Sequence, residues 1–207
     1  SDLNRLAQQR PVKVSAITFR VLQASVALAK ASNGCFDPTM AGRLVRDGVL
    51  SPPNANPIDE SANWQDIQLL SNRHVQFSRP LWMDLSGIAK GFAVDLAVQA
   101  LKKNGVKAAT VDAGGDIRLC GHQQTVFIRN PHNLQEQIPL LMLENGAVAT
   151  SANYFSNLDD MQCVLFDADA QHYLPQACSV TGSAPRAIWA DALTKIVLAK
   201  REQALPL

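Results

Sequence analysis

Three stretches of the chain repeat their apolar residues at helical spacing, and short β-type runs lie between them. The first stretch spans Ser15 to Lys30. Ile17, Val21, Ala24 and Leu28 form its stripe, Ser15 is placed to cap it, and Asn33-Gly34 stops it. The second runs from Gly87 to about Lys103. It puts Ala89, Phe92, Ala93, Leu96, Ala97, Ala100 and Leu101 on one face and ends at Asn104-Gly105. The third covers about Ala184 to Arg201, with Trp189, Leu193, Ile196 and Val197 on one side. DIQLLSNRHVQFS reads as a hairpin around Asn72-Arg73, and LWMDL as a strand end. AATVDAGGDIRLCG reads as two strands broken by Gly114-Gly115. TVFIRN, IPLLMLENG, AVATS, MQCVLFD and ACSVTG are further short strands. Long β stretches with helices between them predict one α+β domain over residues 1–207, with mainly antiparallel strands and flanking helices.

Composition narrows the function classes. Of 207 residues, 47 % are apolar and 18 % charged, which is a globular balance. The formal net charge is +1 and no basic tract exceeds two residues, which argues against nucleic-acid binding read by charge. No run approaches the roughly 18 apolar residues of a membrane span. The opening SDLNRLAQQRPVKVS is polar and lacks the apolar centre of a signal peptide. Cys35, Cys120, Cys163 and Cys178 show no CxxC spacing, which argues against a zinc site and leaves free thiols or one or two disulfides.

The richest chemistry lies in DLSGIAKGFAVD, Asp84 to Asp95. A helix N-terminus carries unpaired N–H groups and a partial positive charge, and glycines let a phosphate approach them. Ser86 adds a hydroxyl and Lys90 a full charge, so Ser86, Gly87 and Lys90 fit a diphosphate seat. An ordinary helix start with a solvated Lys90 fits the same residues. Lys90 and Asp95 diverge by about 140° around a helix. They are therefore not read as one acid/base pair, and Asp95 makes its own contact or faces water.

Gly114 and Gly115 in VDAGGDI interrupt a sheet, so a close backbone approach or a tight bend must account for them. Asp116 then binds a ribose hydroxyl or holds the turn. Thr150 and Ser151 end a strand in ATSAN, as ligand contacts or as turn residues.

Taken in order, these pieces resemble the ApbE family, the FAD:protein FMN transferases. GCFDPTM is similar to G-x-F-D-P-T. DLSGIAKGFAVD is similar to D-L-[GS]-G-I-A-K-G-[YF]-A-V-D. DAGGDI is similar to N-A-G-G-D-I with Asp112 for Asn, and VATSAN to A-T-S-G with Ala152 for Gly. SVTGSAPRAIWADAL resembles the stretch leading into A-D-A-L-[AST]-T. SDLNRL followed by PVKVS resembles the family's early segment.

The resemblance implies an ApbE-like fold. It also implies that FAD is cleaved at a Mg²⁺-bound diphosphate and that FMN is joined by a phosphoester to a Thr or Ser of a client flavoprotein. Carried over by position, it places Asp84, Ser86, Gly87, Lys90, Gly91, Asp95, Gly114, Gly115, Asp116, Thr150 and Ser151 at the FAD. The metal falls to Asp191, a backbone carbonyl near Gly87, and Thr194. An oxygen-only shell suits Mg²⁺. The resemblance also suggests a periplasmic or cell-envelope setting.

Three departures accompany the likeness. The family has a Thr four residues after the metal-binding Asp, whereas Asp191 is followed at that spacing by Lys195. A lysine ammonium cannot ligate a cation, although it can pair with Asp191 along the helix. Thr194, one residue earlier, is the substitute. Aligned on Asp167, Val164 stands where the family's proton-carrying His is expected, and Val has no proton to exchange. His172 lies nearby without an evident register. The family's N-terminal M-G-T region has no counterpart in the chain given. The expected function is therefore FMN transfer. The alternatives are an inactive homologue that binds a flavin nucleotide or serves as a partner protein, and a homodimer that supplies parts in trans.

Overall fold

In a computed structural model, residues 2–152, 166–167, 172–173 and 179–200 are described. They fall into two compact units, Ser1–Leu85 and Ser86–Leu207.

The first unit contains α1 (Asp2–Leu6), β1 (Val12–Lys13), α2 (Ala16–Ala31), α3 (Ala41–Arg46), β2 (Ile67–Leu70) and β3 (His74–Phe77). Ser15 caps α2 as its hydroxyl predicts, accepting the Thr18 N–H at 3.0 Å. The buried face of α2 is rotated from the expected stripe. Val21, Leu22, Ser25 and Ala29 are inside, and Ile17 is exposed. Ile17 sits in the first turn, before the helix reaches the core. The expected hairpin forms, with β3 paired to β2 on one side and to β1 on the other, all antiparallel. Its bend places Asn72 and Arg73 at positive φ.

LWMDL is not a strand. Its backbone bonds go elsewhere: the Asn4 amide spans the Met83 N–H and C=O, and the Asp84 N–H donates to the Pro38 carbonyl. Leu81 and Met83 still enter a core with Leu3, Leu22, Ile67, Val75 and Phe77. FDPT is a turn in which Asp37 Oδ1 accepts the Thr39 N–H at 2.8 Å and its hydroxyl at 2.7 Å.

The second unit begins with α4 (Ser86–Lys103), β4 (Ala109–Ala113), β5 (Asp116–Cys120), β6 (Gln123–Asn130), β7 (Asn133–Glu144) and β8 (Ala147–Ala152). The short strands β9 (Phe166–Asp167) and β10 (His172–Tyr173) follow, then β11 (Ser179–Ala184) and α5 (Ala187–Lys200). An antiparallel sheet in the order β11-β8-β5-β4 carries α4 and α5, and β6 and β7 form a long hairpin. MQCVLFD lies outside the described residues except for β9. The α+β class with antiparallel strands is as expected.

Two helix expectations need correction. The third helix starts at Ala187 rather than Ala184, because Ala184 ends β11 and precedes Pro185, which disfavours helical backbone. On α4 the buried positions are Ile88, Gly91, Phe92, Val94, Asp95 and Val98, while Ala93 and Ala100 are exposed. Small alanines do not decide this face. The helix turns toward whatever Gly91 and Asp95 contact. Val94 then packs with Ala147, Ala149, Ala187 and Ala190. Cys120 is a buried free thiol. Among the described residues, no helix is long and apolar enough to cross a membrane.

Candidate functional site

Gly91 explains the turn of α4. A Cβ at this position would lie 2.2 Å from the Ala187 carbonyl oxygen and 2.8 Å from the Asp191 Cβ, so only glycine lets α4 and α5 approach this closely. The approach brings the Gly91 N–H to within 3.0 Å of Asp191 Oδ2. One turn later, Asp95 faces the same way. Its carboxylate accepts the N–H groups of Ala187 at 2.9 Å and Ile188 at 3.2 Å, and so caps α5 from another helix. Nothing in the sequence APRAIW offers α5 a capping side chain of its own. Arg118 Nη1 and Arg186 Nε, the latter at 3.3 Å, complete the shell of Asp95. Asp95 therefore makes a buried contact and does not face water.

Lys90, at the start of the second turn of α4, reaches Asp116 Oδ1 at 3.0 Å. Asp116 is 1 % exposed, and its Oδ2 has no hydrogen-bond partner among the described residues. Burial pushes this carboxyl up to about 6, helped by the negative charge of Asp191 and opposed by Lys90 and Lys195. Asp116 does not hold the glycine turn. That falls to Asp112, whose Oδ1 accepts the Gly115 N–H at 2.9 Å, while Gly114 and Gly115 take positive φ. Strand alternation turns Asp116 the other way, toward the helices.

Asp191 is fully buried on α5. Lys195 Nζ lies 2.6 Å from its Oδ1 and 3.2 Å from its carbonyl oxygen, which is the helical pair expected from their spacing. Thr194 donates its hydroxyl to the Asp191 carbonyl at 2.6 Å and meets Ser151 Oγ at 2.6 Å. Thr150 meets Thr181 across β8 and β11 at 2.9 Å. In this unit the structure therefore arranges Lys90, Gly91, Asp95, Asp116, Ser151, Asp191, Thr194 and Lys195 in three sets of contacts: Lys90 with Asp116, Asp95 with Arg118, Arg186 and the start of α5, and Asp191 with Gly91, Lys195, Thr194 and, through Thr194, Ser151. Ser86 and Gly87 occupy the first turn of α4. Asp84 lies in the other unit. Val164 lies outside the described residues, and only the backbone of His172 is described.

Arg118 and Arg186 were not anticipated from the sequence. Arg118 was legible in principle: it stands two residues after Asp116 on one strand and hence on the same face. Four cationic side chains (Lys90, Arg118, Arg186 and Lys195) stand against three carboxylates (Asp95, Asp116 and Asp191). The surplus positive charge and the two half-exposed ammoniums suit an anion.

The donors assigned by resemblance to a divalent metal do not fit one in this arrangement. Both carboxylate oxygens of Asp191 already accept N–H groups, and the Thr194 hydroxyl is engaged on both sides. Among the described residues, no group of three or more His, Cys, Asp or Glu is placed to hold a metal.

Comparison with known proteins gives a consistent result. A sequence model of the ApbE family matches residues 1–206. The chain is 29 % identical over 171 residues to the FAD:protein FMN transferase of Vibrio cholerae, a match covering 74 % of this chain and 51 % of that protein. It is 26 % identical over 226 residues to the enzyme of that name from Haemophilus influenzae, covering 94 % of this chain and 64 % of the relative. The chain thus spans about half to two thirds of the length of these curated relatives. The crystal structure of the ApbE protein of Thermotoga maritima superposes with a TM-score of 0.75 at 25 % identity, over 96 % of this chain and 70 % of that one. The apo flavinyl transferase ApbE of Pseudomonas stutzeri gives 0.75 at 19 % identity, over 99 % and 70 %, which speaks for the fold alone.

Proposed function

This chain belongs to the ApbE family, and on that premise we propose that it binds the diphosphate of FAD beside Lys90 and Asp116 and transfers FMN to a Thr or Ser hydroxyl of a client flavoprotein. The observation that carries the proposal is the Lys90–Asp116 pair. A buried carboxylate with one oxygen unpartnered holds a half-exposed ammonium at the start of a helix. That combination orients a cation and leaves room for a further donor. Ser86, Gly87, Gly114, Gly115, Thr150 and Ser151 are the remaining FAD contacts in this proposal.

In the reaction, the client hydroxyl oxygen bonds to the FMN phosphorus. The phosphorus–oxygen bond to the AMP half breaks, AMP leaves, and the hydroxyl proton is released. What this chain's residues supply is positioning and charge. Lys90 stabilises negative charge on phosphate oxygens, and the Gly91–Asp95 docking of α4 on α5 keeps Lys90 in place.

One observation favours a second reading. With Lys195 seated on Asp191 and Val164 unable to carry a proton, the chain binds flavin nucleotide without transferring it. Incubation with FAD, Mg²⁺ and a client flavoprotein separates the two readings by mass spectrometry. A gain of one FMN on a client Thr or Ser supports transfer. Retained FAD binding with no gain leaves the binder, and no FAD binding defeats both.

A further inference from the structure

Resting on the diphosphate-binding reading, we propose that Lys195 is the resident cation of this site, a covalently built-in counter-charge that binds a phosphate group without a divalent metal.

The argument starts from how the Lys195 ammonium is held. Two of its three N–H donors are directed at Asp191, one to the carboxylate and one to the backbone carbonyl. The third remains for a ligand. Asp191 is 1 % exposed by side chain, whereas Lys195 is 30 % exposed. The lysine thus spans from a buried anchor to the open side of the cluster. A ligand anion arriving there meets an ammonium whose position is already fixed, and little rotamer entropy remains to be lost.

Lys90 is the counterpart on the other helix. It is anchored by buried Asp116 and is itself 44 % exposed. Each lysine is thus a partly exposed ammonium held by a buried aspartate of this unit, Lys90 by Asp116 and Lys195 by Asp191. Two anchored ammoniums match the two phosphates of a diphosphate.

The surroundings oppose a dication at this position. Lys90 and Lys195 balance Asp116 and Asp191 one for one, so no excess negative charge draws a metal in. A cation placed beside them would be repelled by both. The Gly91 N–H fixes the second oxygen of Asp191, and Ser151 and Asp191 together occupy the Thr194 hydroxyl.

Calorimetric titration tests the inference, with FAD and, separately, inorganic pyrophosphate as probes, each in EDTA and FAD also in Mg²⁺. FAD affinity is expected to change by no more than about twofold between EDTA and Mg²⁺, since the counter-charge is already present. Lys195→Met is expected to weaken both probes in EDTA by about ten- to hundredfold, the loss of one charge-assisted hydrogen bond. Lys195→Thr is expected to make FAD binding Mg²⁺-dependent. Because Lys195→Met leaves Asp191 buried without its cation, the double variant Asp191→Asn/Lys195→Met is measured beside it, with thermal melts to confirm folding. The same loss is expected there.

A requirement for Mg²⁺ in the unaltered protein overturns the inference. So does a folded variant without Lys195 that binds in EDTA as tightly as the unaltered protein. If pyrophosphate binds through Lys195 while FAD does not, the flavin reading fails and Lys195 stands. If neither probe binds in any buffer, both fail.

Discussion

Asp66 in the first unit and Asp116 in the second are both buried aspartates with a basic partner, yet they are completed differently. Asp66 receives Arg79 through Nε at 2.9 Å and Nη2 at 2.7 Å, the Ser78 hydroxyl at 2.7 Å and the Asn63 N–H at 3.0 Å. The Arg79 hydrogen bonds, with help from Ser78 and Asn63, hold its carboxyl at about 2 despite burial. Asp116 has one lysine, one orphaned oxygen and a carboxyl near 6. A carboxylate whose neighbours satisfy every lone pair fastens a loop. One left incomplete, facing a partly exposed ammonium, is available for chemistry.

The sharpest way to break this comparison is to remove a completed carboxylate from each unit. Asp95→Ala strands Arg118 and Arg186 and uncaps α5, and should cost about 3–5 kcal/mol of stability. Asp66→Ala loses hydrogen bonds to a partly exposed arginine and should cost about 2 kcal/mol. Urea denaturation measures both, and an equal or reversed order would contradict the account of the α4–α5 junction.

A smaller effect separates two glycines. Gly91→Ala drives a methyl into the Ala187 backbone and should destabilise by about 3 kcal/mol. At Gly42 the obstacle is only the Ile58 Cδ1, the end of a flexible side chain, and Gly42→Ala should cost about 1 kcal/mol. Comparable losses in thermal midpoint would mean that α4 and α5 can slide apart.

The smallest effect is in pH dependence, where the two aspartates have opposite signs. The folded carboxyl of Asp66 lies below its ordinary 3.8, so its stabilisation is present above about pH 4 and is lost as pH falls toward 2. Asp116 lies above 3.8, so folding holds its proton more tightly and stability declines as pH rises from about 4 to about 6. Asp66→Asn should flatten the acid limb of a plot of melting temperature against pH. Asp116→Asn should remove the decline. Each change is about 1 kcal/mol, since both partners are partly exposed. A decline that persists in Asp116→Asn would assign it to another group.

Much of this was legible in the sequence where the cause is local. The Ser15 cap, the Asn72-Arg73 bend, the Gly114-Gly115 break and the Asp191–Lys195 pair each depend on residues within five positions. What escaped depends on distant partners. The inward face of α4 could not be read from alanines, because Gly91 and Asp95 set it through residues about a hundred positions later. Of the two roles open to Asp116, the turn falls to Asp112 instead, and only the sheet shows which aspartate holds it. LWMDL has a strand's composition, but Asn4 takes its hydrogen bonds.

The borrowed cap of α5 has a consequence for the order of assembly. Asp95 is synthesised 92 residues before Ala187, whose N–H it accepts. While the chain is emerging from the ribosome, α4 therefore carries a bare glycine groove, and Arg118 is made well before the α5 partners of Asp95. The junction closes only once α5 arrives, so the two helices should gain hydrogen-exchange protection in a single step. Protection of α4 ahead of α5 in pulse labelling would show that they form independently. Until that closure, the side of Asp95 that meets α5 stays hydrated, and the nascent unit has a polar seam where the finished one has the close approach of Gly91 to Ala187.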